Sequence, residues 1–231
     1  DSNGNDLGGE VVGPLTVDDT VPTITSVTSR DIGDVGTDLD GANTNGESVN
    51  DGTVDALEIK FSEPIEDDSV ALADFSMDNA PSAEAISTGD QSNDNTILVD
   101  VEGASAGDTS VTTTVDIGYT AGGLTDLAGN SLANADPSTV DGAAPVAQDT
   151  DTEYLDTDTD GQVDEVHLDF TEDISASTLE KSDFSFTNGQ ASDLSVTSVQ
   201  ANSDEVEISV SAPQGDTDLG DLDVEYDASA G

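Results

Sequence analysis

Residues 54–79, VDALEIKFSEPIEDDSVALADFSMDN, return without a gap as residues 163–188, VDEVHLDFTEDISASTLEKSDFSFTN. Phe61 and Phe170, Glu63 and Glu172, Ile65 and Ile174, and Phe75 and Phe184 all stand 109 positions apart. Outward from this block the match continues. TILVDV (96–101) meets EVEISV (205–210) at the same offset, and DIGYTA (116–121) meets DVEYDA (223–228) at 107. Upstream, Pro22 in VPTITSV corresponds to Pro145 in APVAQDT. Self-similarity at a fixed period identifies a tandem repeat.

Within each copy, apolar and polar residues alternate with period two, the pattern of a strand with one buried face. Leu57, Ile59 and Phe61 are expected to face a core, with Glu58 and Lys60 in water. Val166, Leu168 and Phe170 repeat this, with His167 and Asp169 outside. Ile97, Val99 and Val101 with Val206, Ile208 and Val210 predict a second pair of strands, and Val115, Ile117 and Tyr119 with Leu222, Val224 and Tyr226 a third. The links Glu66 to Leu72 and Ser175 to Leu179 are each read as a single helical turn. Short strands separated by Asp, Asn and Gly turns predict an all-β chain, one β-sandwich to each copy.

The charge restricts the partners. Asp and Glu number 52 against 3 Lys and Arg, a formal net charge of -49. Nucleic acid and anionic membranes demand clustered cations, and here there are only Arg30, Lys60 and Lys181, so both partner classes are excluded. Acidic residues spread along the whole chain indicate a solvated surface adapted to molar salt, where the Debye length falls to roughly 3 Å and self-repulsion is screened. The expected source is a halophile. Cysteine is absent, so there is no disulfide framework. No run approaches the length of an apolar membrane span, no signal segment precedes Asp1, and no Asn-x-Ser/Thr sequon occurs.

DLAGN at Asp126 to Asn130, FSEP at Phe61 to Pro64, and the entry from Val21 to Val27 resemble the immunoglobulin-like domains repeated in prokaryotic surface-layer and other cell-surface proteins. The resemblance covers both copies, although the second has FTED at Phe170 to Asp173 and no DLAGN of its own. It implies an extracellular modular stalk, coat or adhesin without catalysis, built from two tandem immunoglobulin-like β-sandwiches. Residues 18–140 form the first and 141–231 the second, while 1–17 belong to a preceding or neighbouring domain.

The first segment carries its own signal. Asp1, Gly4, Asn5 and Leu7 match Asp126, Gly129, Asn130 and Leu132 of DLAGNSL, which is expected to be the closing strand of the first sandwich. Joined end to end, two copies would place Asn5 after Tyr226 at the spacing that separates Asn130 from Tyr119, within one residue. The second sandwich is thus expected to receive its last strand from Asp1 to Val12 of a neighbouring subunit, or from the next period of a longer polypeptide. A sandwich without that strand exposes an edge and an apolar face. Either route gives a linear array, and separate subunits joined head to tail give a homo-oligomeric filament.

One loop carries metal chemistry. In DTDTDGQVDE, Asp156, Asp158, Asp160, a carbonyl near Gln162, and Asp164 follow the spacing of calcium-loop positions 1, 3, 5, 7 and 9, with Gly161 permitting the reversal. Position 12 departs from an EF-hand, because His167 stands there in a strand. The first copy has an expanded loop in which Asp38, Asp40, Asp51 and Asp55 are candidate ligands, Asp55 matching Asp164. The acids around Asp18, Asp19, Asp141 and Asp149 are read as solvated, and Glu63 and Glu172 as turn caps. His167 has no second histidine for a metal triad and no nucleophile elbow, so no enzyme is expected. An adhesin segment or a sugar-binding accessory module is the other functional class, but Trp is absent and only three Tyr are present.

Overall fold

A computed structural model describes residues 17–32, 52, 54–78, 83–89, 91–101, 116–189, 194–211 and 222–227. Among these the chain is all-β. The strands are β1 (Ile24–Arg30), β2 (Ala56–Phe61), β3 (Phe75–Asp78), β4 (Ala83–Ser87), β5 (Thr96–Val101), β6 (Asp116–Tyr119) and β7 (Thr139–Val140). They continue with β8 (Ala147–Leu155), β9 (Glu165–Phe170), β10 (Phe184–Thr187), β11 (Ser195–Asn202), β12 (Glu205–Ser211) and β13 (Asp223–Tyr226). Among the described residues no helix is long and apolar enough to cross a membrane.

The first seven strands make a sheet in the order β4-β5-β2-β1-β7 and a two-stranded sheet β3-β6. Leu57, Ile59, Ile97 and Val99 from the larger sheet and Phe75, Ile117 and Tyr119 from the smaller one share a single apolar cluster. Alternation along β2 produces this: Leu57, Ile59 and Phe61 are buried while Lys60 is exposed. Each such Leu, Ile or Phe contributes roughly 1.5–3 kcal/mol by leaving water. The remaining strands repeat the plan as β11-β12-β9-β8 and β10-β13, around Val166, Leu168, Phe184, Val206 and Ile208.

The repeat extends to individual hydrogen bonds. Phe61 N–H donates to Asn95 O and Phe170 N–H to Asp204 O, both at 2.8 Å. Ser62 N–H reaches Thr23 O and Thr171 N–H reaches Val146 O, while the hydroxyls of Ser62 and Thr171 accept from Thr23 N and Val146 N in return. The links Glu66 to Leu72 and Ser175 to Leu179 each hold one short 3-10 turn, Asp67–Ser69 and Ala176–Thr178, and a second turn follows each, Leu72–Asp74 and Lys181–Asp183.

DLAGN departs from expectation. It is a closed turn, and the strand that ends the first half is β7, parallel to β1 with Val27 opposite Thr139. Asp126 Oδ1 accepts from the N–H groups of Ala128 and Asn130 at 2.8 Å, and Oδ2 accepts from Asn130 Nδ2 at 2.7 Å. Gly129 takes φ +89°, the left-handed region that a side chain resists. Burial opposes ionisation of Asp126, but these donors outweigh it and hold its carboxyl below the usual range. The turn anchors its flanks: Asp126 bridges Ile65, Thr125 O accepts from Glu66 N–H at 2.9 Å, and Leu124 and Leu132 enter the core.

The halves touch. Gly52, also at φ +89°, sits so close to the second half that a Cβ there would lie 2.5 Å from Thr171 Cγ2. The link is fixed as well: Gly142 N–H donates to Ser29 Oγ at 3.1 Å, and Ser29 Oγ donates to Asp141 Oδ1 at 3.3 Å.

Candidate metal centre

The loop from β8 to β9 folds on its own carboxylates. Gly161 N–H donates to Asp156 Oδ2 at 2.9 Å, and Asp160 N–H donates to Asp158 Oδ1 at 3.0 Å. Gly161 takes φ +89° and Thr159 φ +63°, which turns the chain back toward β9. Asp164, just before β9, accepts from Thr157 N–H at 2.8 Å and Thr157 Oγ1 at 3.0 Å. Those two donors hold the Asp164 carboxyl below its ordinary range.

The result brings Asp156, Asp158 and Asp164 together, each offering an oxygen within 4.8 Å of the others. Oxygens that close can share one hard cation, whose oxygen ligands for calcium lie about 2.4 Å away. Asp160 is not in the group of carboxylates: its own carboxylate accepts from Gln162 N–H and the Gln162 side-chain amide. Acidic groups so placed can hold a hard cation, which would relieve their mutual repulsion.

The first half builds the same frame. Asp31 Oδ2 accepts from Gly52 N–H at 2.9 Å, as Asp156 Oδ2 does from Gly161, and both glycines have φ +89°. Asp55 Oδ2 accepts from Ile32 N–H at 3.0 Å, as Asp164 does from Thr157. Asp55 therefore stands where the repeat predicts, and Asp31, buried and absent from the sequence reading, is the counterpart of Asp156. Asp38, Asp40 and Asp51 lie outside the described residues.

A second acidic group joins residues that read apart in the sequence, Asp18 as solvated, Glu63 as a turn cap and Asp126 in a strand. Asp18, Glu63 and Asp126 bring one carboxylate oxygen each within 4.8 Å of one another. Glu63 is not a turn cap: its Oε1 is buried without a hydrogen-bond partner. Desolvation first, then Asp18 and Asp126, push its carboxyl above the usual range. The corner after Glu63 is closed instead by Asp67 and Asn93, whose side chains each accept from the other's backbone N–H at 3.0 Å. The signal was the shared surrounding of DLAGN and FSEP, motifs far apart in sequence that meet through the bridge of Ile65 and Asp126.

The outward face of each large sheet carries a third kind of cluster, in inverted sense. Glu58 lies between Arg30 and Lys60, both at 2.7 Å; burial opposes its ionisation, but the hydrogen bonds from Lys60 and Arg30 prevail and lower its pKa. The equivalent position on β9 is His167, between Glu165 and Glu205 at 3.3 Å each. Desolvation alone would lower the His167 pKa, and the two carboxylates raise it instead.

Searches against protein-family models, curated proteins and solved structures found no match to the chain.

Proposed function

We propose that this chain is a structural, extracellular cell-surface protein of a halophile, whose immunoglobulin-like sandwiches repeat end to end into a filament or coat stiffened by calcium. The observation that carries the reading is the junction: the acidic loop of the first half, through Gly52, packs on Thr171 at the head of the second. Its counterpart, the Asp156–Asp164 loop, has open space beyond Gly161, where a following unit would stand. A cation in each loop would rigidify successive junctions, because folding and metal affinity are linked. The scattered acids keep such an array solvated in molar salt.

This reading assigns the chain no catalysis. A sugar-binding role draws little support, since Tyr119 is buried and Tyr154 packs against the second core, leaving one exposed tyrosine, Tyr226. Electron microscopy of the purified chain in multimolar salt, with calcium and then with a chelator, tests the proposal. Linear assemblies that lose stiffness or length on chelation are expected. Discrete particles of one or two sandwiches under both conditions contradict it.

A further inference from the structure

The two halves share one frame but differ in closure. Phe75 and Tyr119 pack with ring centroids 5.3 Å apart, and so do Phe184 and Tyr226, yet Tyr119 is 3% exposed and Tyr226 55%. In the first half the stretch after Tyr119 makes the seal: Leu124 N–H donates to Tyr119 Oη at 3.3 Å, and Leu124 and Leu132 fill the core beside Ile65 and Phe61. In the second half the equivalent positions, Phe170, Ile174, Leu179, Phe184, Val206 and Tyr226, line a cavity of about 310 Å³. The sheet edge differs in the same way: β1 carries β7 on its outer side, whereas β8 is an edge among the described residues.

We infer that this cavity and the β8 edge form an acceptor groove for residues 1–17 of a second copy of the chain. Residues 1–16 lie outside the described residues, and their sequence matches the sealing segment at the positions of Asp126, Gly129, Asn130 and Leu132. Asp1, Gly4 and Asn5 stand for Asp126, Gly129 and Asn130, the cap, the left-handed residue and the clamp of the turn. Leu7 stands for Leu132, which is 3% exposed in the core. LTVDDTVP, residues 15–22, aligns with STVDGAAP, residues 138–145, so Thr16 and Val17 stand for the two residues of β7, with two extra residues between turn and strand. Val17 is 85% exposed among the described residues.

Seated as the first half's segment is, the donor places Asp1 opposite Ile174, as Asp126 lies opposite Ile65. Leu7 enters the cavity, and Thr16–Val17 run parallel to β8. Main-chain pairing supplies affinity and the apolar plug supplies register, the logic of strand addition to an open edge. The groove deepens the assembly reading above and rests on it for the presence of a second copy.

The test uses the full chain carrying Leu7→Asp, which disables its own donor and leaves both halves intact. A synthetic peptide of residues 1–17 is titrated into it in multimolar salt by calorimetry and by NMR. Expected are one-to-one binding, shifts at Ile174 and Tyr226 but not at Tyr119, and affinity weakened at least roughly tenfold when the peptide itself carries Leu7→Asp, since an apolar plug is lost. Absence of binding, equal binding of both peptides, or shifts centred on Tyr119 would each overturn the groove. Filaments of the wild-type chain combined with no peptide binding reject the groove and leave the array standing. Peptide binding by a chain that never assembles supports the groove and rejects the array.

Discussion

Gly52 and Gly161 are one residue in two settings. Both take φ +89° and both donate to an aspartate at 2.9 Å, but a Cβ at Gly52 would strike Thr171 while one at Gly161 meets nothing within 4 Å. Gly161→Ala should therefore cost only the left-handed backbone penalty, about 1 kcal/mol, and Gly52→Ala distinctly more. Chemical denaturation of the two variants checks this, and equal losses would remove the junction as a close contact. His167 makes a second prediction. Its folded pKa lies above 6.5, so its share of stability is present below that pH and is lost as pH rises through the folded pKa. His167→Gln should flatten the decline in the urea midpoint above pH 6.5. For Glu58 the sign reverses: its contribution is present above 4.5 and is lost as pH falls through its lowered pKa.

The acidic loop between β8 and β9 gives a prediction for a whole element. Calcium should raise the melting temperature of the chain, and Asp158→Asn should shrink that gain while leaving the calcium-free protein as stable or slightly more so, because one repelling charge is gone. A rise that is unchanged in the variant would place the ion elsewhere. The strands were legible in the sequence because alternation with period two survives in both copies, and Leu57, Ile59 and Phe61 are buried as that pattern requires. DLAGN was misread as a strand because it sits at a sandwich edge, yet its residues serve a turn: an Asp that caps, a Gly at positive φ and an Asn that clamps. Asp31 escaped for a different reason. A bulge between Gln148 and Glu153 lengthens β8, so the offset that joins Pro22 to Pro145 no longer joins Asp31 to Asp156. The acid group of Asp18, Glu63 and Asp126 is a product of tertiary contact and has no local pattern.

For the molecule as a whole, charge and repetition act together. A net charge of -49 on 231 residues makes dilute buffer hostile to the fold, so the unfolding midpoint should climb with sodium or potassium chloride through the molar range. A midpoint insensitive to salt would detach the composition from the halophilic reading. The same screening lets acidic chains approach one another, and the acceptor groove proposed for the second half would supply the reason for them to do so. Sedimentation velocity of the purified 23.4 kDa chain in multimolar salt, over a range of concentrations, measures that approach directly. The account predicts a ladder of head-to-tail species that lengthens with concentration and collapses to monomer in Leu7→Asp. A single 23.4 kDa species at every concentration would contradict it.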